Sequence, residues 1–490
     1  MVMVMSAHSA SPVFFSRFTA EFSAEPALAT ENGAFTFAQY AALIHATAQN
    51  LAAAGLQRGD RLALYLPNCA ELAILLMAAL EGGIISVPLS TRLPAGHIPN
   101  AMQQTGCTAL VTTEKPRERE LAGLQLLSAR ELVSATPSPA GHRPLREPHF
   151  EQESNCIFTS GSSGRARAVL HTFGNHYFSA LGSQHNIPVQ PGDRWLLSLP
   201  LYHVGGLAIL YRTALHGGCV VIPPPQMQLA DFLQQERCTH VSLVATQLRR
   251  MLQKPELVPV LQRLKAILLG GSAIPEKLIN EAHALGLRVH VSYGSSEMSS
   301  QITTTRPGAD VSELLTAGFV LPHRELKIAA DGEILVRGKT RFKGYLEHDD
   351  LLTPFDEQGW FATGDIGRLR GDGALQVFGR KDNMFISGGE NIHPEEIERE
   401  LLQHPGVVQA VVVAVPHAEF GMRPVAFCET ATTLETSSDD LRTWLGDRLP
   451  RFKIPDRFFP LPGQHGSGLK PDRRQLQELA AEKIRSNSTD

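Results

Sequence analysis

The chain has 490 residues, 43% of them hydrophobic and 19% charged, with a formal net charge of -4. That length suits two or three domains, and the balance is ordinary for a soluble globular protein. The charge excludes a generic nucleic-acid or anionic-membrane binder, because no excess cationic field exists to drive either. In chain order, the apolar runs Arg61–Leu66, Ala109–Thr112, Trp195–Leu199, Cys219–Ile222, His240–Val244, Ala266–Leu269 and Val289–Ser292 predict buried strands. Helical patterns at Glu71–Leu80, Leu207–Leu215 and Glu276–Leu285 fall between them, and such alternation implies parallel sheets covered by helices. From about Gly332 the texture changes. Glu333–Arg337 and the Gly371–Gly373 turn predict antiparallel ribbons and a smaller α+β unit near the end. Residues 134–149, rich in Pro, Ser and Arg, predict a surface connection.

Six cysteines (Cys69, Cys107, Cys156, Cys219, Cys238 and Cys428) are scattered singly. Without a CxxC pair or a Cys/His cluster they suit reduced thiols better than a disulfide framework or a zinc site. Met1 to Pro12 lacks the basic-then-apolar order of a secretory signal. The most apolar window, Leu72–Leu89, is interrupted by Glu81, Gly82 and Gly83, so it reads as a helix then a strand and not as a membrane span. A cytoplasmic protein with no integral membrane segment is expected. No motif bears on oligomeric state.

The segment Ile157-Phe158-Thr159-Ser160-Gly161-Ser162-Ser163-Gly164 follows a strand-like run and precedes Ala168-Val169-Leu170. Its glycines permit a tight turn, and successive hydroxyls and N–H groups can surround phosphate oxygens. A Ser/Gly run is equally often a plain flexible turn. It is not a Walker loop, since no Gly-Lys-Ser/Thr follows, and it lacks the Rossmann glycine spacing.

This segment resembles the phosphate-binding signature of the adenylate-forming superfamily of acyl- and aryl-CoA ligases, luciferases and peptide-synthetase adenylation domains. Where that family has Pro-Lys-Gly, this chain has Ala166-Arg167-Ala168, keeping a cation in bulkier, planar form. Further segments match in the same order. Leu199-Pro200-Leu201-Tyr202-His203 resembles the stretch whose His lies beside the reacting carboxylate as a gate and orienter. Gly270-Gly271-Ser272-Ala273-Ile274-Pro275 resembles the adenine-side loop. In Tyr293-Gly294-Ser295-Ser296-Glu297 the resemblance implies an aromatic ring on adenine, a hydroxyl on the α-phosphate and Glu297 on Mg²⁺. Thr363-Gly364-Asp365 implies an Asp for the ribose hydroxyls, and Gly379-Arg380-Lys381-Asp382 a hinge. Ser387-Gly388-Gly389-Glu390-Asn391-Ile392 implies a loop beside a coenzyme A tunnel. Lys470-Pro471-Asp472-Arg473 matches the terminal Lys-x-x-Arg, with Leu469 where Gly is common.

The implied fold is α/β. A large N-terminal domain of helix-covered sheets plus a β-barrel-like part spans residues 1–379, a hinge 380–383, and a small mobile α+β domain 384–490. The implied reaction is ATP-dependent activation of a carboxylic acid as an acyl-adenylate, then transfer to coenzyme A. Attack of a carboxylate on the α-phosphate brings together two anions, so charge must be neutralised, by Mg²⁺ at Glu297 and by the Lys470 ammonium. Lys470, His203 and Glu297 are the implied catalytic residues. Thr159, Ser160, Gly161, Ser162, Ser163, Gly164, Arg167, Gly271, Ser272, Ala273, Tyr293, Gly294, Ser296, Asp365 and Arg380 are the implied ATP contacts. Taken singly, Glu297 reads as a solvated loop acid, Asp365 as a turn residue and Lys470 as a tail lysine; their joint order reverses that. Because Lys470 and Gly388–Gly389 serve different half-reactions on one small domain, the resemblance implies rotation about Asp382 between them.

The acid pocket is expected along Gly205–Leu215 and after Glu297, where Gly206, Ser300 and Gln301 suit a compact, partly polar site. These segments, with Asn175-His176, are most similar to the o-succinylbenzoate–CoA ligase branch of menaquinone or phylloquinone biosynthesis. Arg212 suits the second, non-activated carboxylate of such an acid, which is costly to bury without a cation; the alternative is that it snorkels to solvent. A benzoate- or halobenzoate-type ligase is the runner-up, and a non-catalytic binding protein on the same fold, prompted by Arg167 and Leu469, the rival of another class.

Overall fold

The structure is a computed structural model that describes residues 13–113, 124–133, 145–159, 166–272, 274–430, 436–462 and 472–486. Two large sheets carry most of the parallel strands. In the nine-stranded one, Cys219–Val221, Arg194–Leu196, His240–Leu243, Ala266–Leu269 and Val289–Ser295 lie side by side and parallel, extended antiparallel by Ser300–Thr304. In the eight-stranded one, Glu153–Thr159, Ile85–Pro88, Arg61–Tyr65, Ala109–Thr112 and Gln125–Ser128 run parallel, while Arg167–Thr172 and Gly344–Glu347 join antiparallel. Ile85–Pro88 and Ala109–Thr112 are buried at every position, as strands covered on both faces must be. Each fully buried Leu or Phe stabilises by roughly 1.5–3 kcal/mol, and Phe14, Phe18, Phe37, Ile44 and Trp195 belong to one such cluster between the sheets and their helices.

Local signals set the helix ends. Thr36 and Gln39 form a capping box on Phe37–Ala53, and Thr172 and Asn175 one on Phe173–Ser183. The apolar window Leu72–Leu89 resolves into helix Ala70–Gly82, a left-handed turn at Gly83 (φ 73°) and strand Ile85–Pro88. Among the described residues no helix is long and apolar enough to cross a membrane. All six cysteines are unpaired.

Two smaller, mostly antiparallel sheets follow in the chain. Arg324–Ile328, Glu333–Gly338, Phe361–Leu369 and Leu375–Arg380 form the first, in the part expected to be barrel-like. Phe385–Ser387, Glu390–Ile392, Val407–His417 and Gly421–Thr430 form the second, which Arg457–Pro460 joins parallel to Gly421–Thr430. Between the sheets, Lys381–Asn383 makes a single 3₁₀ turn. Several contacts cross this junction, among them one from Arg399 to the Phe378 carbonyl at 3.4 Å. Asn383 donates to Glu395 Oε1 at 2.5 Å, and Arg249 donates to the carbonyls of Val408 and Val407 at 2.6 and 3.1 Å. The expected strand Trp195–Leu199 is shorter, Arg194–Leu196. Beyond it the chain leaves the sheet toward Pro200, and Asn68 holds the departing loop through the Leu199 carbonyl (2.9 Å) and the Leu201 N–H (2.9 Å).

Candidate active site

One hairpin, Val289–Ser295 paired with Ser300–Thr304, carries much of the site. Its register shifts between Tyr293 and Gly294, and a Cβ at Gly294 would overlap the Ser300 carbonyl, so only glycine admits this approach. Tyr293, Gly294, Ser296, Glu297, Ser300 and Gln301 are thereby presented along about one turn of chain, facing two neighbouring groups of residues.

The first group gathers at Tyr293. Its hydroxyl donates to Asp365 Oδ2 at 2.6 Å, and Arg380 Nη1 donates to Asp365 Oδ1 at 3.2 Å and to the Thr363 carbonyl at 2.8 Å. Burial, and then the Asp365 carboxylate beside it, hold the Tyr293 phenol well above its usual range. Arg380 reaches onward to Asp382 at 3.7 Å, placing the expected hinge residue, which is exposed, next to this cluster. Three residues singled out separately from the sequence are thus one hydrogen-bonded unit. Gly270 packs against Ser292 on the same strand, followed by Gly271 at φ 82° and the exposed Ser272.

The second group gathers at Glu297. Tyr345, which the sequence did not single out, donates its hydroxyl to Glu297 Oε1 at 2.9 Å. The Arg167 guanidinium lies over the Tyr345 ring at 5.1 Å, which joins the cation flanking the phosphate loop to the proposed metal carboxylate. Burial first, then the Glu297 charge, raise the Tyr345 phenol. The Glu297 carbonyl accepts from the Phe342 N–H at 2.7 Å, and the Ser296 carbonyl from His171 Nε2 at 2.7 Å. His171 is fully buried, and its Nδ1 meets the Asn155 side-chain amide at 3.1 Å. Burial pushes this imidazole down to about 4, so the ring is neutral at pH 7 with its Nε2–H directed at the Ser296 carbonyl. Thr159 and Arg167 face each other across the ends of an antiparallel pair, the geometry that would frame a phosphate loop. Ser160, Gly161, Ser162, Ser163 and Gly164 lie outside the described residues, as do Ala273 and Lys470.

The expected acid side falls on helix Val204–His216. His203, exposed, is its N-cap residue and meets Tyr202 edge to face at 4.7 Å. A Cβ on Gly206 would overlap the Pro200 and Leu199 carbonyls, so this glycine lets the helix sit directly on the loop carrying His203. Arg212 does not snorkel. It is 1% exposed, donates from Nη2 to Gln301 Oε1 at 2.7 Å and Ser300 Oγ at 3.1 Å, and lies 5.3 Å from the Trp195 ring centre. Its Nε and Nη1 have no partner among the described residues. Burial lowers it to about 9, which leaves it charged at neutral pH. Gln301 is fully engaged, its Nε2 donating to Thr304 Oγ1 at 2.6 Å. Ser299 and Ser300 hold φ values of 52° and 109°, strain of the kind that collects at binding sites.

Gly388 and Gly389, at φ 58° and 88°, turn the chain on the terminal sheet, where the Gly388 N–H donates to the Phe420 carbonyl at 3.0 Å. No contact among the described residues joins them to the hairpin. Arg473 of the terminal motif is tied to Glu398 (2.7 Å) and to the Val412 carbonyl (2.6 Å).

The profile of the AMP-binding enzyme family matches residues 15–346, and that of the AMP-binding enzyme C-terminal domain residues 396–463. The chain belongs to the AMP-binding enzyme family. This AMP-binding enzyme is 34% identical over 468 residues to a 2-succinylbenzoate–CoA ligase of Salmonella typhimurium (strain LT2), covering 95% of this chain and 97% of that one. The o-succinylbenzoate CoA synthetase of Bacillus subtilis, in complex with the acyl-adenylate intermediate OSB-AMP, is 31% identical with a TM-score of 0.85, covering 94% of this chain and 97% of that one. The same Bacillus synthetase in complex with ATP and magnesium ion gives 31% identity and a TM-score of 0.84 over 94% of this chain and 98% of that one. The α/β fold with a smaller C-terminal part is the fold of these relatives.

Proposed function

We propose that this AMP-binding enzyme is an acid–thiol ligase that activates o-succinylbenzoate with ATP and transfers the acyl group to coenzyme A. The observation that carries the choice of acid is Arg212, a buried cation with two unpartnered nitrogens at the pocket hairpin. An acid with one carboxylate spends it on the α-phosphate and gives Arg212 nothing to neutralise. A second carboxylate completes the site.

Mg²⁺ fits Glu297. Magnesium is typically held by one or two carboxylates plus substrate phosphates and water, not by a dedicated protein cage. Glu297 offers a single half-buried carboxylate oriented by Tyr345, and no group of three or more metal-ligating side chains occurs among the described residues. Bound there, the ion would neutralise charge at the phosphates. The chain's own groups do the rest. Asp365 receives the ribose hydroxyls, held by Tyr293 and Arg380. The Ser296 hydroxyl and Arg167 face the phosphates, with Thr159 to Gly164 around them. His203, on the first turn of the pocket helix, orients the reacting carboxylate. Lys470 supplies a second positive charge as pyrophosphate leaves.

A large unit over 1–379, a hinge at 380–383 and a small unit over 384–490 complete the proposal, with the small unit rotating about Asp382 so that Gly388 and Gly389 replace Lys470 at the site and admit the thiol. The cytosol is the proposed compartment, in keeping with six unpaired thiols. The test is pyrophosphate release from ATP with a panel of acids, followed by thioester formation. o-Succinylbenzoate should be turned over in preference to benzoate, and Arg212→Ala should raise KM for the former far more than for the latter. No selective change sinks the dicarboxylate assignment, and no exchange of pyrophosphate into ATP with any acid makes the chain a binding protein.

A further inference from the structure

A second buried guanidinium faces the same hairpin, and no step above uses it. Arg324 is 6% exposed. Its Nε donates to the Gln301 carbonyl at 2.5 Å, Nη1 to the Pro322 carbonyl at 2.7 Å, and Nη2 to the Ser179 carbonyl and hydroxyl at 3.2 and 3.1 Å. The Ser179 hydroxyl donates in turn to the Ser299 carbonyl at 2.7 Å. Space for the Arg324 head exists because Gly182 has no Cβ; one built there would overlap Nη1 and the Pro322 carbonyl. From behind, then, Arg324 and Ser179 grip the carbonyls of Gln301 and Ser299, either side of the strained Ser300.

A clamp alone does not require charge. The acceptors are neutral carbonyls, and neutral donors serve elsewhere on the same helix, where the Asn175 amide holds the Lys339 and Arg341 carbonyls at 3.0 and 2.8 Å. Arg324 brings a full positive charge beside that of Arg212; the two share Gln301, one holding its carbonyl and the other its side chain. Among the described residues neither cation is paired with a carboxylate. Burial lowers Arg324 to about 9, with the Arg212 charge adding to the effect, and it too stays charged at neutral pH. Two adjacent buried cations without a counter-charge are costly in the free protein, and that cost is recovered when an anion enters.

We propose that Arg324 is a positioning residue for the acid's second carboxylate: it fixes Ser299–Gln301 beneath Arg212 and supplies one of the two positive charges that attract this carboxylate. The proposal rests on the dicarboxylate reading of the site. The experiment compares the parent with Arg212→Ala, Arg324→Gln and Arg324→Lys, measuring KM for ATP, for o-succinylbenzoate and for its monocarboxylate analogue 4-oxo-4-phenylbutanoate by pyrophosphate release. Arg324→Gln keeps an amide donor for the Gln301 carbonyl and removes the charge. It should raise KM for o-succinylbenzoate by about tenfold or more, the usual scale of an outer-shell loss, with KM for ATP and for the analogue nearly unchanged. Arg324→Lys restores the charge and should recover most of that loss. An equal rise for all three substrates, no rise at all, or failure of Lys to improve on Gln overturns the proposal. If Arg324→Gln does not fold, Arg324→Met takes its place. If neither neutral variant folds, Arg324 belongs to the fold alone and the proposal fails. A non-selective Arg212→Ala defeats the dicarboxylate reading itself, whereas a selective Arg212→Ala with an indifferent Arg324→Gln defeats only the role of Arg324.

Discussion

Substituting Arg212 by Met should make the protein more stable and a worse enzyme. Replacing a buried ion pair by well-packed apolar residues of similar volume is often neutral or stabilising by about 1–4 kcal/mol, and a lone buried cation has less to offset its desolvation. Here the favourable end applies, because Nε and Nη1 have no partner to offset their desolvation and Arg324 is a second cation close by. Against this, Gln301 Oε1 loses its donor, a cost of about 1–3 kcal/mol, while Ser300 is only half-buried and can turn to water. The net expectation is a gain of about 1 kcal/mol, or an apparent Tm higher by roughly 2–4 °C. The catalytic cost is larger. Losing a buried charge-assisted contact is worth about 2–5 kcal/mol, so kcat/KM for o-succinylbenzoate should fall by about 30-fold at least. Thermal unfolding of parent and variant, each with and without o-succinylbenzoate, reads both effects. The parent should gain stability from the acid by mass action, and the variant should gain markedly less at the same acid concentration. A variant that unfolds several degrees below the parent in the absence of acid would show that the free protein already compensates the Arg212 charge, and the reasoning from a poised cation would be wrong.

Three further outcomes follow from the same geometry. Tyr345→Phe removes the hydroxyl that orients Glu297 and should raise the Mg²⁺ requirement of pyrophosphate exchange by about tenfold; an unaltered magnesium titration refutes that role. His171, lowered by burial from 6.5 to about 4, is neutral when folded and takes up a proton more readily when unfolded. Its contribution is therefore intact above pH 6.5 and falls away as pH drops toward 4, by roughly 3 kcal/mol in all. Urea unfolding should thus show a shallower acid loss for His171→Asn than for the parent, and equal losses count against it. Lys470→Ala should cripple adenylate formation and spare thioester formation from supplied adenylate, with Asp382→Pro doing the reverse; equal loss of both half-reactions in either variant removes the proposed division of labour.

Strands such as Ala109–Thr112 and Ala266–Leu269 were legible because both their faces are buried, which leaves a continuous apolar run in the sequence. Trp195–Leu199 was read too long for the same reason, since leucines at 197 and 199 stay apolar after the backbone has left the sheet. Around the candidate site, Tyr293, Glu297, Asp365 and Arg380 stand in short local motifs that single them out before their contacts are seen, and Arg212 stands out by its place on the helix after His203. Tyr345, His171 and Arg324 do not. Their meaning lies in contacts across 48, 125 and 145 residues, to Glu297, Ser296 and Ser179, and a lone Tyr, His or Arg has no local pattern that announces such a partner. Nor could the motif show that Gly206 lets the helix approach the backbone of Pro200.

On the proposed reading a single hairpin presents Glu297 to the nucleotide and Gln301 to the acid, with strained Ser299 and Ser300 between them. Drift toward a new substrate is therefore constrained in an asymmetric way. Replacements at 299–301 disturb the nucleotide half along with the acid half, so they will be purged early by selection or by an engineer's screen. Helix Val204–His216 is a separate element, and on the proposed reading it is there that variants with new appetites should accumulate.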